Sequence, residues 1–350
     1  MVGPISGGGP LQGPQPESEA AAEAEAKQYL QQSGTSTYVD IGVLYGNYVM
    51  SHCMNWSPTA SIDQTKLDAF LTVLFSSLKA DGSDEISMAF AQIGDIEALS
   101  QGQGAGLDDP IAQIFKDNYP VGNTGENFLK YFADFAHTSG VKVDLSFGGA
   151  AATGATDFTL TDPAKEANDL AAFMKNYDID DVDFDIEGDE STRIMANGAA
   201  NVQTFFSTLH SALSPLGKES ILTVDHGGGI AGPLQPLFAQ GVYSSCFDGL
   251  RLMLYGASEN FINPDEVKAY LAAGVPPGEI QIGFYDKVDY GGGAGTAADG
   301  QAAAQQFLAL EKQLGVQLGE PFVWTDDPTG IPSNAFMQAF GQALKNAAHQ

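Results

Sequence analysis

From Tyr38 onward the chain alternates short β-branched or apolar runs with longer stretches whose apolar residues recur at helical spacing. The short runs are Val39–Leu44, Ile86–Ile93, Val141–Phe147, Asp181–Glu187, Ile221–Asp225, Leu250–Tyr255, Ile280–Tyr285 and Phe322–Thr325, and they predict eight strands. The longer ones predict helices over Ile62–Lys79, Gly125–Thr138, Pro163–Asn176, Ala199–Leu213, Pro264–Ala273, Gly300–Gln313 and Pro332–Ala348. Strand followed by helix, repeated, builds a parallel sheet, and a spacing of about 36 residues per repeat suits βα units of about 30 residues or more. Eight such units predict an α/β fold, a (β/α)8 barrel forming one catalytic domain. An open doubly wound sheet shares the alternation, but no Gly-rich fingerprint follows the first strand.

The pattern is absent before Tyr38. Residues 1–16 carry three successive glycines and repeated prolines, a composition that cannot bury a core. Glu17–Gln32 is rich in Ala, Glu and Gln, which favours helix, but it lacks an apolar stripe. The expected division is a flexible tail over 1–36 and a barrel over 37–350, with the tail a candidate docking arm for a protein partner. The Gly-rich segment Asp289–Asp299 after the seventh strand is too short to hold an inserted domain.

Charge narrows the partners. The formal net charge of −29, with a pI near 4.1, repels nucleic acid and anionic lipid, so a neutral or cationic substrate fits better. No run approaches the roughly 20 apolar residues of a membrane span. No apolar run of signal-peptide length precedes Lys27, the first basic residue. The expected location is cytoplasmic by default, or outside the cell by a non-Sec route or after removal of a signal. Two cysteines, Cys53 and Cys246, are too few for a disulfide framework and leave their pairing open. His52, His137, His210, His226 and His349 show no ligand spacing, so neither a metal nor a cofactor is expected.

The chemistry concentrates in Asp180-Asp181-Val182-Asp183-Phe184-Asp185-Ile186-Glu187. On a strand, the carboxylates at 181, 183, 185 and 187 share one face, and Val182, Phe184 and Ile186 take the other. A run of charge is usually a solvated edge. Here the segment is the fourth of eight strands and its apolar face must pack on helices, which turns the acids into the barrel. Buried, unpaired carboxylates are costly, so they need partners, shared protons or a purpose. A calcium loop would also alternate acids, but Ile186 stands where its glycine belongs.

This run resembles the DxxDxDxE signature of glycoside hydrolase family 18 through Asp180, Asp183, Asp185 and Glu187, in wording closest to the plant class III chitinases and their bacterial relatives. Ser146-Phe147-Gly148-Gly149 is similar to the family's Ser-x-Gly-Gly on the third strand. Met253-Leu254-Tyr255 matches the Met-x-Tyr that ends its sixth strand, and Trp324 the tryptophan that ends its eighth. The second strand, Ile86–Ala91, follows the family pattern too, so the likeness runs in order from Tyr38 to Ala348. Departures are Gly256 after Tyr255, Asp181 in place of a common glycine, and Val224-Asp225-His226 at the fifth strand's end, with His226 placed to line the cleft.

The resemblance implies a retaining, substrate-assisted hydrolase of β-1,4-linked N-acetylglucosamine polymers, an endo-acting chitinase whose partner is chitin or a related oligosaccharide. It implies Glu187 as the acid, the last of its strand's carboxylates and so the nearest to the mouth. Asp185 would orient the substrate's acetamido group, Asp183 would hold Asp185, and Tyr255 would donate its hydroxyl to the acetyl oxygen. Trp324, Met253, Tyr45, Phe90, Ser146 and Gly148 are the implied sugar contacts. Two readings stay beside it: an endo-β-N-acetylglucosaminidase acting on glycans, and a catalytically silent carbohydrate-binding barrel, which in this family accompanies loss of signature acids that are all present here. An esterase is suggested by Asp225-His226-Gly227-Gly228-Gly229, but no Gly-x-Ser-x-Gly elbow occurs in the chain.

Overall fold

The computed structural model of the protein describes residues 20–22, 24, 38–40, 44–54, 61–81, 83–91, 120–122, 126–149, 160–226, 229–239, 241–255, 262–286, 295–324 and 334–348. Its main sheet has eight strands in sequence order. They are β1 (Tyr38–Asp40), β2 (Glu85–Ala91), β3 (Lys142–Gly148), β4 (Asp181–Ile186), β5 (Glu219–Asp225), β6 (Gly249–Met253), β7 (Ile280–Tyr285) and β8 (Phe322–Trp324). Every neighbouring pair is parallel, and β8 lies against β1, so the sheet closes into the expected (β/α)8 barrel.

The helices are α1 (Gln64–Asp81), α2 (Phe128–Thr138), α3 (Pro163–Tyr177), α4 (Asp189–Met195), α5 (Ala199–Leu213), α6 (Pro264–Ala273), α7 (Ala297–Leu314) and α8 (Asn334–Ala348). Local chemistry fixes several ends. Asn127 caps α2 by accepting from the Leu129 N–H, and Asp162 followed by Pro163 starts α3. Thr296 and Asp299 form a reciprocal capping box on α7, and Gly274 and Gly315 end α6 and α7 in the left-handed conformation.

Sequence and structure part at three places. Leu44, read as the end of the first strand, belongs instead to a π-helical segment, Leu44–Cys53. The β5–β6 connection carries the short 3-10 turns Gln235–Phe238 and Tyr243–Ser245 where strict alternation asks for a helix. Gly229, Gly232, Pro233, Pro236 and Gly241 break any longer run there. An additional helix, α4, starts two residues after Glu187. Of the tail over 1–36, Ala20–Ala22 and Ala24 are described and Ala22 is buried; the rest lies outside the described residues, as do Ile93 and Thr325.

Alternation along each strand separates two cores. Outward residues pack on the helices: Phe184 of β4 meets Phe205 and Phe206 of α5 edge-on, at ring-centroid distances of 5.9 and 4.9 Å, and Phe284 of β7 lies 5.3 Å from Phe340 of α8. Each such buried side chain stabilises the fold by about 1.5–3 kcal/mol. Inward residues are polar. Ser87, Asp144, Ser146, Asp181, Asp183, Asp185, Thr223 and Arg251 are all buried within the barrel. Cys53 and Cys246 are buried free thiols. No helix among the described residues is long and apolar enough to cross a membrane.

Candidate active site

The register of the parallel ladders sets Ser87 opposite Asp144, Asp144 opposite Asp181 and Asp181 opposite Glu219; Ser146 is opposite Asp183 two residues further along, and Gly148, Asp185, Thr223, Arg251 and Gln281 are successive partners across β3 to β7. Because barrel strands are tilted, partners in register do not share one height, and the Arg251 side chain reaches the floor at Asp144 and Glu85. Glu187 follows the last residue of β4 and is half-buried at the carboxyl ends of the strands, where barrels of this type present their chemistry.

At the floor, four carboxylates meet two cations. Arg251 Nη1 donates to Asp144 Oδ2 at 2.6 Å, Nη2 donates to Glu85, and Lys142 Nζ reaches Asp181 Oδ2 at 3.3 Å. Ser87 Oγ adds a 2.7 Å bond to Asp144. Asp183 makes the fourth acid, with Oδ2 3.9 Å from Arg251 Nη1. Two cations cannot hold four ionised carboxylates, and the excess appears as retained protons. Burial, reinforced by Asp144 and Asp181, pushes Glu85 up to about 7 despite Arg251 beside it. Burial and Asp144 likewise push Asp181 up to about 6 against the pull of Lys142.

One level higher, both oxygens of Asp183 accept hydrogen bonds. Thr223 Oγ1 donates to Oδ1 at 2.5 Å and Ser146 Oγ to Oδ2 at 2.7 Å. Asp185 is the opposite case: its Oδ1 is buried without a hydrogen-bond partner, and its carboxyl is held well above the ordinary range. Burial is the main cause, followed by the like charges of Glu187, Asp183, Glu190 and Asp225. The stack therefore pairs an Asp183 held by two hydroxyls with an Asp185 whose surroundings favour the neutral carboxyl.

Gly148 explains the Ser-x-Gly-Gly segment. Its φ is +100°, and a Cβ there would stand 2.3 Å from the Asp185 carbonyl oxygen. The next glycine donates its N–H to the same oxygen at 2.8 Å. The two glycines thus let β3 clamp the backbone of Asp185, which fixes the height of that carboxyl in the barrel. Around the rim, Glu190 accepts from the Glu187 N–H at 3.1 Å, and Asp225 Oδ2 accepts from the Gly188 N–H at 3.0 Å. The first bond ties α4 to the end of β4, and the second ties the Gly188 turn to the end of β5.

Facing the acids is a small apolar cluster separate from the main core. It joins Ala89, Met253 and Phe322 with the half-buried Tyr255 and Trp324. Tyr255 stacks on Tyr285 at 6.1 Å and meets Phe322 edge-on at 6.5 Å. Gly283 leaves room for the Tyr255 ring, since a Cβ there would lie 2.7 Å from it. An apolar ring surface beside carboxyls with separated proton affinities can seat one face of a sugar and exchange protons with it.

Of the residues expected from sequence, Asp183 and Asp185 lie inside β4 with Glu187 just past its end, while Met253 at the end of β6, Tyr255 two residues on and Trp324 at the end of β8 share the apolar cluster. Ser146 lies lower, fully buried against Asp183, and Gly148 touches the backbone of Asp185. Tyr45 and Phe90 fall in elements whose backbone is described, Leu44–Cys53 and β2, while their side chains lie outside the description. Asp180 stands at the foot of β4, accepting from the Val143 N–H at 2.8 Å and bonded to His137 Nε2 at 2.7 Å. His226 pairs with Glu266 at 2.6 Å at the end of β5. Arg251, Thr223, Glu190 and Asp225 were not singled out for the site. Phase with Met253 and Tyr255 would have turned Arg251 inward, and phase within β5 would have done the same for Thr223. Among the described residues no group of three or more His, Cys, Asp or Glu side chains is arranged to hold a metal ion.

Comparison with solved structures shows the same fold. A GH18 chitinase from Pseudoalteromonas aurantia is 20% identical with a TM-score of 0.54, covering 89% of this chain and 100% of its own. The GH18 chitinase ChiB from the chitin utilization locus of Flavobacterium johnsoniae is 11% identical with a TM-score of 0.52, over 90% and 96% of the two chains. The catalytic domain of a hyperthermophilic chitinase from Pyrococcus furiosus is 14% identical with a TM-score of 0.50, over 77% and 89%. No curated protein sequence matches the chain significantly. The sequence profile of Glycosyl hydrolases family 18, however, matches residues 53–306, from the last residue of the π-helical segment into α7, and thereby spans the acidic strand, the glycine clamp and Tyr255, with Phe322 and Trp324 lying beyond it. The chain belongs to glycosyl hydrolases family 18.

Proposed function

We propose that this glycoside hydrolase cleaves β-1,4-linked N-acetylglucosamine chains with retention of configuration, as an endo-acting chitinase. The observation that carries the reading is the division of labour among the stacked acids. Asp185 is buried, has an unpartnered oxygen and is pushed well above the ordinary carboxylate range by burial, whereas Glu187 stands half-exposed two residues further along, just past the end of the strand. A neutral carboxyl below the sugar can donate to and orient an acetamido group. A carboxyl at the rim can deliver a proton to the leaving oxygen and recover it from water. The usual second carboxylate nucleophile is then unnecessary, because the acetamido oxygen of the substrate attacks the anomeric carbon, a route known for this family.

In this reading Glu187 is the general acid, and Asp185 orients the acetamido group. Asp183, fixed by Thr223 and Ser146, keeps the shared proton on Asp185. Tyr255 closes on the acetyl oxygen, while Met253 and Trp324 form the apolar wall under the ring. Gly148 contributes through the clamp on Asp185, and Tyr45 and Phe90 are proposed as sugar contacts. The acidic surface suits this partner, since an N-acetylated chain is uncharged.

A panel of chito-oligosaccharides of increasing length, with products separated by size, tests the reading. Internal cleavage into mixed shorter oligomers is expected. Binding without turnover would identify a silent carbohydrate-binding barrel, and turnover restricted to the chitobiose core of glycans would identify an endo-β-N-acetylglucosaminidase.

A further inference from the structure

Arg251 is buried in the barrel interior, and its guanidinium is ringed by side chains from five strands. Nη2 donates to Glu85 of β2, Nη1 to Asp144 of β3 at 2.6 Å, and Nε to Gln281 of β7 at 2.9 Å. The ring of Phe322 on β8 lies 5.9 Å from the guanidinium carbon. The same Nη1 stands 3.9 Å from Asp183 Oδ2, on β4. One cation is therefore shared between the floor of the barrel and the lower member of the acid pair.

We propose that Arg251 is a positioning residue that keeps Asp183 ionised and thereby confines the proton shared by Asp183 and Asp185 to Asp185. The proposal rests on the reading of that pair as catalytic. Two hydrogen bonds to Asp183 come from Thr223 on β5 and Ser146 on β3, both neutral hydroxyls that suit a protonated carboxyl almost as readily as an ionised one. Hydrogen bonds alone leave the location of the proton weakly determined. The charged groups that act on Asp185 are Glu187 past the end of β4, Asp183 on β4, Glu190 on α4 and Asp225 on β5, and those gathered at the floor below are Asp144 and Lys142 on β3, Glu85 on β2 and Asp181 on β4. All but Lys142 are acids, and Lys142 is engaged with Asp181. Among the described residues Arg251 is the cation within ion-pair distance of Asp183. It approaches from below, on the Asp183 side of the pair, so its field favours the anion on Asp183 over the anion on Asp185.

The surroundings sharpen that field. A cavity of about 120 Å³ opens beneath Arg251, between the feet of β2 and β8 and helix α8, lined by Asp84, Glu85, Gln281, Glu320 and Met337 among others. It gives solvent a place on the Glu85 side of the guanidinium. Asp144 and Asp183 are fully buried on the other side, where a charge is screened least.

The test uses the full chain with the substitutions R251K, R251M and the charge-neutral pair R251M with D144N, plus D183N for assignment. Steady-state turnover of chitotetraose is followed across the acidic and neutral range, with melting temperatures measured for each protein. An arginine neighbour lowers an aspartate by about one to three pH units. Because Arg251 is shared with Glu85 and Asp144, R251M is expected to move the acid limb of kcat upward by about one unit, with KM changed less than about twofold. R251K, which keeps the charge, is expected to restore most of that shift. A purely structural arginine would lower melting temperature and activity together and leave the limb where it was; that result in R251M or in the neutral pair overturns the proposal.

A second readout needs no turnover. In the unsubstituted protein labelled with 13C at the aspartate carboxyl, the Asp183 signal, assigned by its loss in D183N, is expected to remain in the ionised position while Asp185 titrates. Titration of Asp183 above Asp185 overturns the proposal. Failure of the unsubstituted protein to cleave chitotetraose would sink the functional reading and leave the carboxyl titration to decide the role of Arg251.

Discussion

Glu187→Gln is expected to lower turnover of chito-oligosaccharides by about 10²- to 10⁴-fold, the usual contribution of general acid catalysis, while affinity for the substrate persists. The amide keeps the size and planarity of the carboxyl and loses the proton that the leaving oxygen must receive. The fold should tolerate the change, because Glu187 is half-exposed after the last residue of β4 and its backbone N–H, not its side chain, supplies the bond to Glu190. Calorimetric titration with chitotetraose separates the two effects. Near-normal turnover by this variant would remove Glu187 from the acid role. Loss of binding together with turnover would instead make it a sugar contact.

A second large effect is expected from the substrate side. Fully deacetylated chains and cellulose-like chains should be cut orders of magnitude more slowly than acetylated ones of equal length. In the substrate-assisted route the acetamido oxygen on the sugar at the non-reducing side of the cut is the nucleophile. Holding it against the anomeric carbon supplies roughly 7 to 11 kcal/mol through proximity. Without the acetyl group that contribution vanishes, and Asp185 and Tyr255 would face an amine. Matched acetylated and deacetylated oligomers, with the anomer of the first product followed by NMR, make the measurement. Equal rates, or a first product of inverted configuration, would mean that water or another carboxylate attacks.

Much of this was legible in the residues because alternation is unforgiving in a barrel. Val182, Phe184 and Ile186 must meet the helices, so Asp181, Asp183 and Asp185 turn inward, and β4 forms over the span the pattern indicates with Glu187 just beyond it. The outer strands of the pattern were less legible. β1 is three residues long, and Leu44 is followed by no alternation that would hold it in a sheet. Relations across the barrel were the hardest to see. Gly148 could be matched to a motif, but its reason, the Asp185 carbonyl at its Cβ position, exists only once β3 and β4 pair. Asp180 was grouped with the other signature acids, yet it sits below them, bonded to Val143 and His137. Arg251 was visible as an inward residue, but its partners Asp144 and Glu85 lie more than a hundred residues away in sequence.

The crowded floor also sets how the whole molecule responds to acidity. Glu85, Asp181 and Asp185 all bind protons more tightly in the folded chain than their ordinary values allow. Folding therefore takes up protons, and unfolding at mildly acidic pH releases them to the buffer. The associated penalty is absent below the ordinary values of 4.5 for Glu85 and 3.8 for Asp181. It grows as pH rises and is complete above about 7 for Glu85 and about 6 for Asp181. With a formal charge of −29 adding self-repulsion over the same range, the barrel is better suited to mildly acidic surroundings than to alkaline ones.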